Sequence, residues 1–309
     1  MADFFALLPQ SLINGLTLGS VYALIALGYS MVYGILKLLN FAHGDIYMVG
    51  AYLGYGVFVM ASVDEKLLLP VGLLIFLMLV VAMVGAGLLS LAVERFAYRP
   101  LRYAPRIAPL ISALGVSFIL QNLVQITVSP RPLNYGSNQL LPANNSIEFL
   151  NVKLPYARLL VIAVTLILLL ILTYLVQRTR LGRAIRAVSI DMDAAAMMGV
   201  DVNRVIMATF FIGASLAGAA GVLVGIAFYS IRHTMGFLAG LKGFTAAVLG
   251  GIGSIPGAAL GGLLLGLIEA LASVYWSITF KDLIAFVLLI VIFLLRPSGL
   301  LGKAAIKKV

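Results

Sequence analysis

The sequence predicts an all-α, polytopic membrane protein. Of its 309 residues, 62% are hydrophobic and only 10% are charged, whereas about a quarter of the residues of a soluble domain are charged. Uncharged runs recur along the chain, and the longest approach or exceed the roughly 20 residues that a helix needs to cross a bilayer. They lie at 4–36, 67–93, 107–130, 159–177, 205–231 and 243–268, with shorter runs at 46–63 and 283–295. We therefore expect eight or nine spans in one transmembrane domain over residues 1–309.

The spans are predicted to be helices because they lack the alternation of a membrane barrel, and a helix satisfies its own backbone in lipid. The first ten residues contain an acid and no base, which is not the pattern of a cleaved signal peptide. The chain has no cysteine, and its two histidines, His43 and His233, lack the spacing of paired metal ligands. We expect neither a metal nor a cofactor.

The basic residues predict the orientation. The net charge is +10, but these residues sit in loops and do not form a patch with interleaved aromatics, so nucleic acid is not an expected partner. By the positive-inside rule the basic loops and the C-terminus are cytoplasmic. The loop at about 129–156 and the segment at 63–66 then face outward. The basic residues of these three cytoplasmic regions are Arg95, Arg99, Arg102, Arg106, Arg178, Arg180, Arg183, Arg186, Arg204, Lys303, Lys307 and Lys308.

Two glycine-rich segments are predicted to be interrupted spans. If 205–229 and 256–276 both run outward, residues 236–256 must return through the membrane. This count places the N-terminus outside, whereas a re-entrant first segment would place it inside. Residues 40–54, NFAHGDIYMVGAYLG, follow the first span as 236–256 follow the span at 205–229. Such a pair in corresponding positions of two halves is typical of repeated transporters, whose path lies at the repeat interface.

Five polar residues in these spans are candidates for a translocation path. A charge at the bilayer centre costs about 2.5–3.5 kcal/mol on insertion scales, so these side chains are not expected to face lipid. They either form buried pairs that fix helix packing, lie near an interface, or line a hydrated path, and the sequence leaves these alternatives open. The candidates are Asn40, His43, Asp45, Lys242 and Glu269.

The sequence gives little support for catalysis. The stretch GGIGSIPG lacks the lysine of a nucleotide-binding P-loop, and the H-E-x-x-H and G-x-S-x-G motifs are absent. Asp64 and Glu65 fall in an outward loop, where a solvated turn explains them. We expect a non-enzymatic chain, and if ATP drives its activity, another protein hydrolyses the ATP.

A cytoplasmic loop at about 178–204 is predicted to contain a helix of two to three turns. Ser189 or Asp191 can cap it, acids in its first turn suit the helix dipole, and a glycine can end it. This helix either lies at the membrane interface or offers exposed alanine and methionine to the groove of another protein. If that other protein is an ATPase, the candidate residues for coupling the chain to it are Ser189, Asp191, Asp193, Ala195, Met198 and Gly199.

Five motifs in order carry a family resemblance: NGLTLGSVYALIALGYSMVYGI, NFAHGD, the 181–205 segment, GLKGFTAAVLGGIGSIPGA and LRPSGLLG. Over about residues 12–302 the chain resembles the permease of branched-chain amino acid ABC importers, specifically the shorter, LivH-type subunit. The resemblance implies the type II ABC importer permease fold with two related halves and a place in the bacterial inner membrane. It implies three kinds of protein partner: a longer LivM-type permease, two cytoplasmic ATP-binding subunits and a periplasmic substrate-binding protein.

The resemblance also implies roles for two segments. Residues 189–199 correspond to the coupling helix that docks on an ATPase, and NFAHGD lies in a broken helix near the translocation path. Permeases for urea or short amides share much of this pattern, so the substrate stays open. From other classes, a stand-alone secondary transporter would use Asp45, Lys242 and Glu269 as proton or ion relay groups, and a membrane scaffold would transport nothing.

Overall fold

The computed structural model describes residues 2–63, 66–102, 104–105, 107–142, 146–149, 152–296 and 298–302. Several residues used above lie outside these ranges, namely Asp64, Glu65, Arg106, Lys303, Lys307 and Lys308.

Helices make up most of the described chain, which confirms the all-α prediction at this level. They are α1 (Ala2–Leu36), α2 (His43–Met60), α3 (Val71–Val93), α4 (Ile107–Thr127), α5 (Ser137–Leu140), α6 (Tyr156–Arg178), α7 (Arg180–Ile190), α8 (Met192–Met197), α9 (Val202–Phe228), α10 (Met235–Gly250), α11 (Ile255–Tyr275) and α12 (Lys281–Leu295). A π-helical turn at Glu94–Tyr98 and a 3₁₀ turn at Arg99–Leu101 extend α3, and a second 3₁₀ turn at Ile278–Phe280 precedes α12.

Three short antiparallel strand pairs lie in the described connections. β1 (Ser62–Val63) pairs with β2 (Lys66–Leu67), β3 (Leu133–Asn134) with β6 (Ser230–Ile231), and β4 (Ser146–Phe149) with β5 (Val152–Pro155). The β3–β6 pair joins the connection after α4 to the connection after α9. We call the end of the bundle that carries these pairs the hairpin end.

The opposite end carries the arginine-rich segments, and we call it the basic end. Leu36 at the end of α1, Arg102 and Met192 of α8 line one cavity there. The turn after α10 packs on residues 298–302, where the Leu300 amide donates to the Leu249 carbonyl at 2.9 Å. Gly34 of α1 lies beside Gly253 in that turn, so the ends of α1, α3 and α10 lie together with the loop at 178–204 that is predicted to mediate coupling.

Six described helices are long and apolar enough to cross a membrane. They are Leu7–Leu36, Val71–Leu101, Ile107–Thr127, Tyr156–Arg178, Val202–Phe228 and Ile255–Tyr275, and α10 is a shorter apolar helix. The predicted spans at 46–63 and 283–295 correspond to α2 and α12. The expected count of eight or nine crossings stays a prediction.

The interior of the bundle is built around α1 and α9. Of their most apolar windows, 83% and 78% are buried, against 28% for α4 and 22% for α6, so α4 and α6 present apolar faces outward. Small residues bring the inner helices close together: a side chain at Gly19 of α1 would meet the Leu263 backbone of α11 at 2.8 Å. Close packing of small residues replaces the hydrophobic driving force that helices lack within lipid.

The helices α2 and α10 both begin inside the bundle. His43, the first residue of α2, lies against Gly28 of α1, and Gly28 also contacts Gly213 near the middle of α9. Gly236, in the first turn of α10, lies against Gly44 and Asp45 of α2. The two helix N-termini therefore meet at about mid-height of the bundle.

The predicted interruption before Pro256 is present as the non-helical turn 251–254, whereas the glycines of 40–54 lie in continuous helix, which corrects the interpretation of that segment as glycine-broken. Residues 43–60 and 235–250 are continuous helix, and the non-helical chain is at 37–42 and 229–234. Their glycines serve close approach instead: a side chain on Gly44 would meet the backbone of Gly236 and Gly240. A second non-helical turn, 251–254, follows α10.

Candidate functional site

Asp45 is fully buried where α2 and α10 begin. One carboxylate oxygen accepts a hydrogen bond from the Ser117 hydroxyl, and the other accepts one from the Gln121 amide at 3.1 Å, both from α4. Among the described residues no cation forms an ion pair with it. Asp45 lies in the first turn of α2 and beside Gly236 in the first turn of α10. Both helix dipoles favour a negative charge at this place.

His43 and Asn40 contact two other elements. The His43 ring packs edge-on against Tyr29 of α1 with ring centroids 4.7 Å apart, and its Nε2 is buried without a hydrogen-bond partner. The Asn40 Oδ1 accepts a hydrogen bond from the Tyr98 hydroxyl at 3.0 Å, and Nδ2 has no partner. Asn40 therefore contacts the π-helical turn, His43 contacts α1 and Asp45 contacts α4, so the three side chains do not form one cluster.

Lys242 and Glu269 form a buried ion cluster with two residues that sequence reasoning missed. The Lys242 ammonium lies 2.7 Å from a Glu269 oxygen and 2.5 Å from an Asp282 oxygen. The Tyr22 hydroxyl donates to the other Glu269 oxygen at 2.8 Å. Lys242 and Glu269 are at most 5% exposed. The cluster joins α1, α10, α11 and α12, which agrees with the alternative in which buried charges fix helix packing.

Two signals could have led to these missing partners. Asp282 is the acid at the start of the uncharged run 283–295, and Tyr22 is a polar side chain in the long first span. Within the described residues, no hydrogen bond or ion pair joins Asp45 to Lys242 or Glu269, so the five path candidates fall into separate clusters. Within the described chain, no group of three His, Cys, Asp or Glu side chains could hold a metal ion.

The predicted coupling loop contains two helices, α7 and α8. Asp191 caps α8, because its Oδ1 accepts hydrogen bonds from the amides of Asp193 and Ala194, both at 3.0 Å. Ser189 belongs to α7, where its hydroxyl donates to the Arg186 carbonyl at 2.8 Å, so the choice of cap is settled for Asp191. Helix α8 has six residues and is shorter than predicted. Gly199 follows it with a φ of 83°, a conformation that suits glycine.

The exposed surface of this loop is apolar at three positions. Ile190, Met197 and Met198 are each more than 80% exposed. Ala195, in contrast, is only 5% exposed, which corrects the expectation that it faces outward. Its position four residues after the cap turns it toward the bundle, so the methionines and not Ala195 form the outer face. We call Ile190, Met197 and Met198 the apolar knob.

A polar bridge links the coupling loop to the chain before α2. Arg102 donates to Glu94 in the π-helical turn and, at 2.6 Å, to the Asn203 Oδ1 in the first turn of α9. Tyr98, at the other end of the same turn, bonds Asn40. Sequence reasoning did not single out Glu94 or Tyr98, although Glu94 is the acid that ends the uncharged run 67–93 and is fully buried. Local π-helix is frequent at functional sites.

Comparison with known proteins accounts for nearly the whole chain. Residues 11–293 match the family described as "Branched-chain amino acid transport system / permease component". The chain belongs to this family. It is 43% identical over 315 residues to the high-affinity branched-chain amino acid transport system permease protein LivH of Escherichia coli (strain K12), covering 100% of both chains.

A second relative supports the same assignment of the permease. The high-affinity branched-chain amino acid transport system permease protein BraD of Pseudomonas aeruginosa is 44% identical over 306 residues, with 97% of each chain covered. A chain of PsaBC from Streptococcus pneumoniae, solved in complex with Fab, superimposes with a TM-score of 0.51 over 96% of both chains. Its sequence identity is 15%, so it shows a similar fold alone.

Proposed function

We propose that this chain is one of two membrane-spanning subunits of an ATP-driven importer of leucine, isoleucine and valine. The observation that carries the proposal is the end-to-end match, at 43% and 44% identity, to proteins named as permeases of high-affinity branched-chain amino acid transport. The partners would be a second permease, two ATP-binding subunits that hydrolyse ATP, and a periplasmic substrate-binding protein. The chain itself would form part of the path and catalyse nothing.

In the membrane the chain would form a single type II permease domain of nine crossings in two related halves. The crossings would be α1, α2, α3, α4, α6, α9, α10, α11 and α12. The hairpin end would face the periplasm, and the basic end with the C-terminus would face the cytoplasm, as the arginine distribution favours. The meeting of the α2 and α10 N-termini within the bundle supports this arrangement, since half-helix ends are typical of transport paths.

The apolar knob is the proposed docking site for an ATP-binding subunit. Methionine side chains adapt to a partner's groove, and α8 holds them outward on a helix whose start is fixed by Asp191. Asp193, Met198 and Gly199 would lie in or beside the interface, Ser189 would hold α7, and Ala195 would anchor α8 from below. The polar bridge through Arg102 supports a mechanical connection from α8 toward α2.

Asn40, His43, Asp45, Lys242 and Glu269 stay candidates for the translocation path. We assign the path side to Asp45, which has neutral partners and lies at the two helix N-termini. We assign Lys242 and Glu269 the task of holding α10 and α11 in place beside the path. Alternating access would then reorient these segments when the ATP-binding subunits close.

The test is ATP-driven uptake of radiolabelled leucine by the co-purified assembly in liposomes, with urea as a competitor. Met198→Glu should reduce both uptake and retention of the ATP-binding subunits about tenfold, because it puts a charge into an apolar contact. The matched control is Met60→Glu, an equally exposed methionine on α2, 83% against 85% exposed, near the hairpin end. It should retain the ATP-binding subunits.

Three outcomes would contradict parts of this proposal. Uptake that persists without ATP would favour a stand-alone secondary transporter. Competition by urea but not by isoleucine or valine would change the substrate. Normal uptake by Met198→Glu would remove the docking role of the apolar knob while leaving the importer assignment intact.

A further inference from the structure

A second polar feature lies near the hairpin end, away from the coupling loop and the candidate path. A partly open cavity of about 300 Å³ is enclosed by α1, α6, α9 and α11. Its polar lining consists of Asn14, Thr17, Arg158 and Ser273, and its apolar lining includes Leu18 and Phe228. The cavity therefore combines a cation, other polar groups and an apolar wall.

Arg158 gives this cavity an uncompensated charge. Its guanidinium donates to the Asn14 Oδ1, and no described carboxylate forms an ion pair with it. A guanidinium has five N–H donors in a planar fork, so most of them are left for another acceptor. The side chain is only partly exposed, which limits how well water can replace that acceptor.

The other polar groups of the cavity leave Arg158 as its main donor. The Thr17 hydroxyl donates to the Ile13 carbonyl at 2.8 Å and the Ser273 hydroxyl to the Glu269 carbonyl at 2.7 Å, so both protons are engaged within their own helices. Their oxygens and the Asn14 amide add polarity but no charge. A ligand of this cavity therefore needs an oxyanion for Arg158 and an apolar part for the facing wall.

The location of Arg158 indicates that the oxyanion is the phosphate of a lipid. It is the third residue of α6, at the end of a 23-residue helix, and only 22% of the most apolar window of α6 is buried by the protein. A basic side chain at such a place lies at the depth of lipid headgroups. Arginine binds phosphate through two parallel hydrogen bonds, so a lipid phosphate at this depth would engage the free donors of Arg158.

We propose that this cavity binds one phospholipid, with its phosphate on Arg158 and an acyl chain along Leu18 and Phe228. The site is independent of the proposed coupling contacts. It fastens α6, a mostly lipid-facing helix, to α1, α9 and α11 through a lipid molecule in place of an acidic side chain.

The experiment measures the phospholipid retained by the tagged chain, with whatever subunits co-purify, after detergent washing in the presence of added phosphatidylglycerol. Bound phospholipid is quantified by mass spectrometry and expressed per chain. The unaltered protein should retain about one molecule, and Arg158→Gln should lower the retained amount about tenfold, the effect expected for losing a hydrogen bond to a charged group. Arg158→Lys should retain an intermediate amount.

Two further variants separate the cavity from general charge and folding effects. Ser273→Leu keeps the guanidinium but fills the cavity, and should also lose the lipid. Arg131→Gln removes an exposed arginine after α4, near the same end, and should retain it. The folding of all variants is compared by size-exclusion elution. If Ser273→Leu aggregates, the smaller substitution Ser273→Val takes its place.

A second measurement distinguishes lipid phosphate from an amino acid carboxylate. Radiolabelled leucine is added to the delipidated protein, and binding that depends on Arg158 would assign the cavity to a carboxylate and overturn the lipid proposal. Equal lipid retention by the unaltered protein and Arg158→Gln, or equal loss in Arg131→Gln, would overturn it as well.

Discussion

Two of the buried acidic residues in the described part of this permease, Glu269 and Asp45, are stabilised by different means. Glu269 lies in an ion cluster with Lys242, Asp282 and the Tyr22 hydroxyl. Among the described residues, Asp45 has the neutral donors of Ser117 and Gln121 as its hydrogen-bond partners and lies at the N-termini of two helices. The first site contains its own opposite charge, whereas the second stabilises its charge through dipoles.

From this difference we infer that the Lys242–Glu269 pair serves helix packing and that Asp45 is the candidate for transport. An ion pair in a low-dielectric interior is tightly bound to its geometry, because moving either partner leaves the other charge uncompensated. Neutral donors on α4 can exchange a carboxylate for water or for a substrate group at much lower cost. A change at Lys242 should therefore lower stability, and a change at Asp45 should lower transport.

Replacing Lys242 should produce the largest loss of stability. Lys242→Met leaves Glu269 buried without a cation, which should lower the free energy of unfolding by about 3–5 kcal/mol. The measurement is thermal unfolding of the purified assembly in detergent, followed by loss of the monodisperse species.

The control for this effect is a second substitution in the same cluster. Lys242→Met combined with Glu269→Gln removes both charges, and should restore more than half of the lost stability because Asp282 has a 40% exposed side chain. If the double variant is less stable than Lys242→Met alone, charge compensation is not the main role of Lys242.

Adding a methyl group where α2 and α10 touch should produce an intermediate loss of stability. Gly44→Ala places a methyl group against the backbone of Gly236 and Gly240, and overpacking of this kind costs about 1–3 kcal/mol. Gly56→Ala is the matched control on the same helix, since a side chain there meets nothing within 4 Å. Equal melting temperatures for the two variants would show that the N-termini of α2 and α10 can separate without loss.

Hydrophobic runs were sufficient to predict the long helices, because each of them must bury a continuous apolar stretch. The start of α2 was not readable in the same way. Its glycines suggested a break within 40–54, but they permit contacts with residues almost 200 positions away, which only the folded chain brings near. A glycine judged by its sequence neighbours predicts a break in the helix, whereas the same glycine in the folded chain lets two continuous helices touch.

The polar residues show a similar limit. Asp191 could be recognised as a helix cap because capping is local, and the structure confirms it over Ser189. The partners of Asp45 and Lys242 are 72 and 27 residues away in the sequence, so only their need for partners was predictable. Ala195 was placed on the wrong face since a six-residue helix has too few residues to show its buried side.

Removing the charge of Asp45 should have the smallest effect on stability. Asp45→Asn keeps the size of the side chain and can still accept a hydrogen bond from Ser117, so we expect a loss of about 1 kcal/mol or less. ATP-driven leucine uptake should nevertheless fall about tenfold, the change that about 1.4 kcal/mol makes in an equilibrium. In the stability measurement, the control for loss of a negative charge is Asp201→Asn, because its side chain is 49% exposed and asparagine can also cap α9.

The pair of measurements on Asp45 discriminates between the two explanations of a buried acid. If Asp45→Asn unfolds as readily as Lys242→Met, Asp45 is a packing residue, and the contrast between the two sites disappears. If stability is kept while uptake is lost, the charge of Asp45 at the α2 and α10 N-termini acts on the substrate in the translocation path. Unchanged stability with unchanged uptake would remove Asp45 from the path and leave Asn40 and His43, on the same approach to α2, as the residues to alter next.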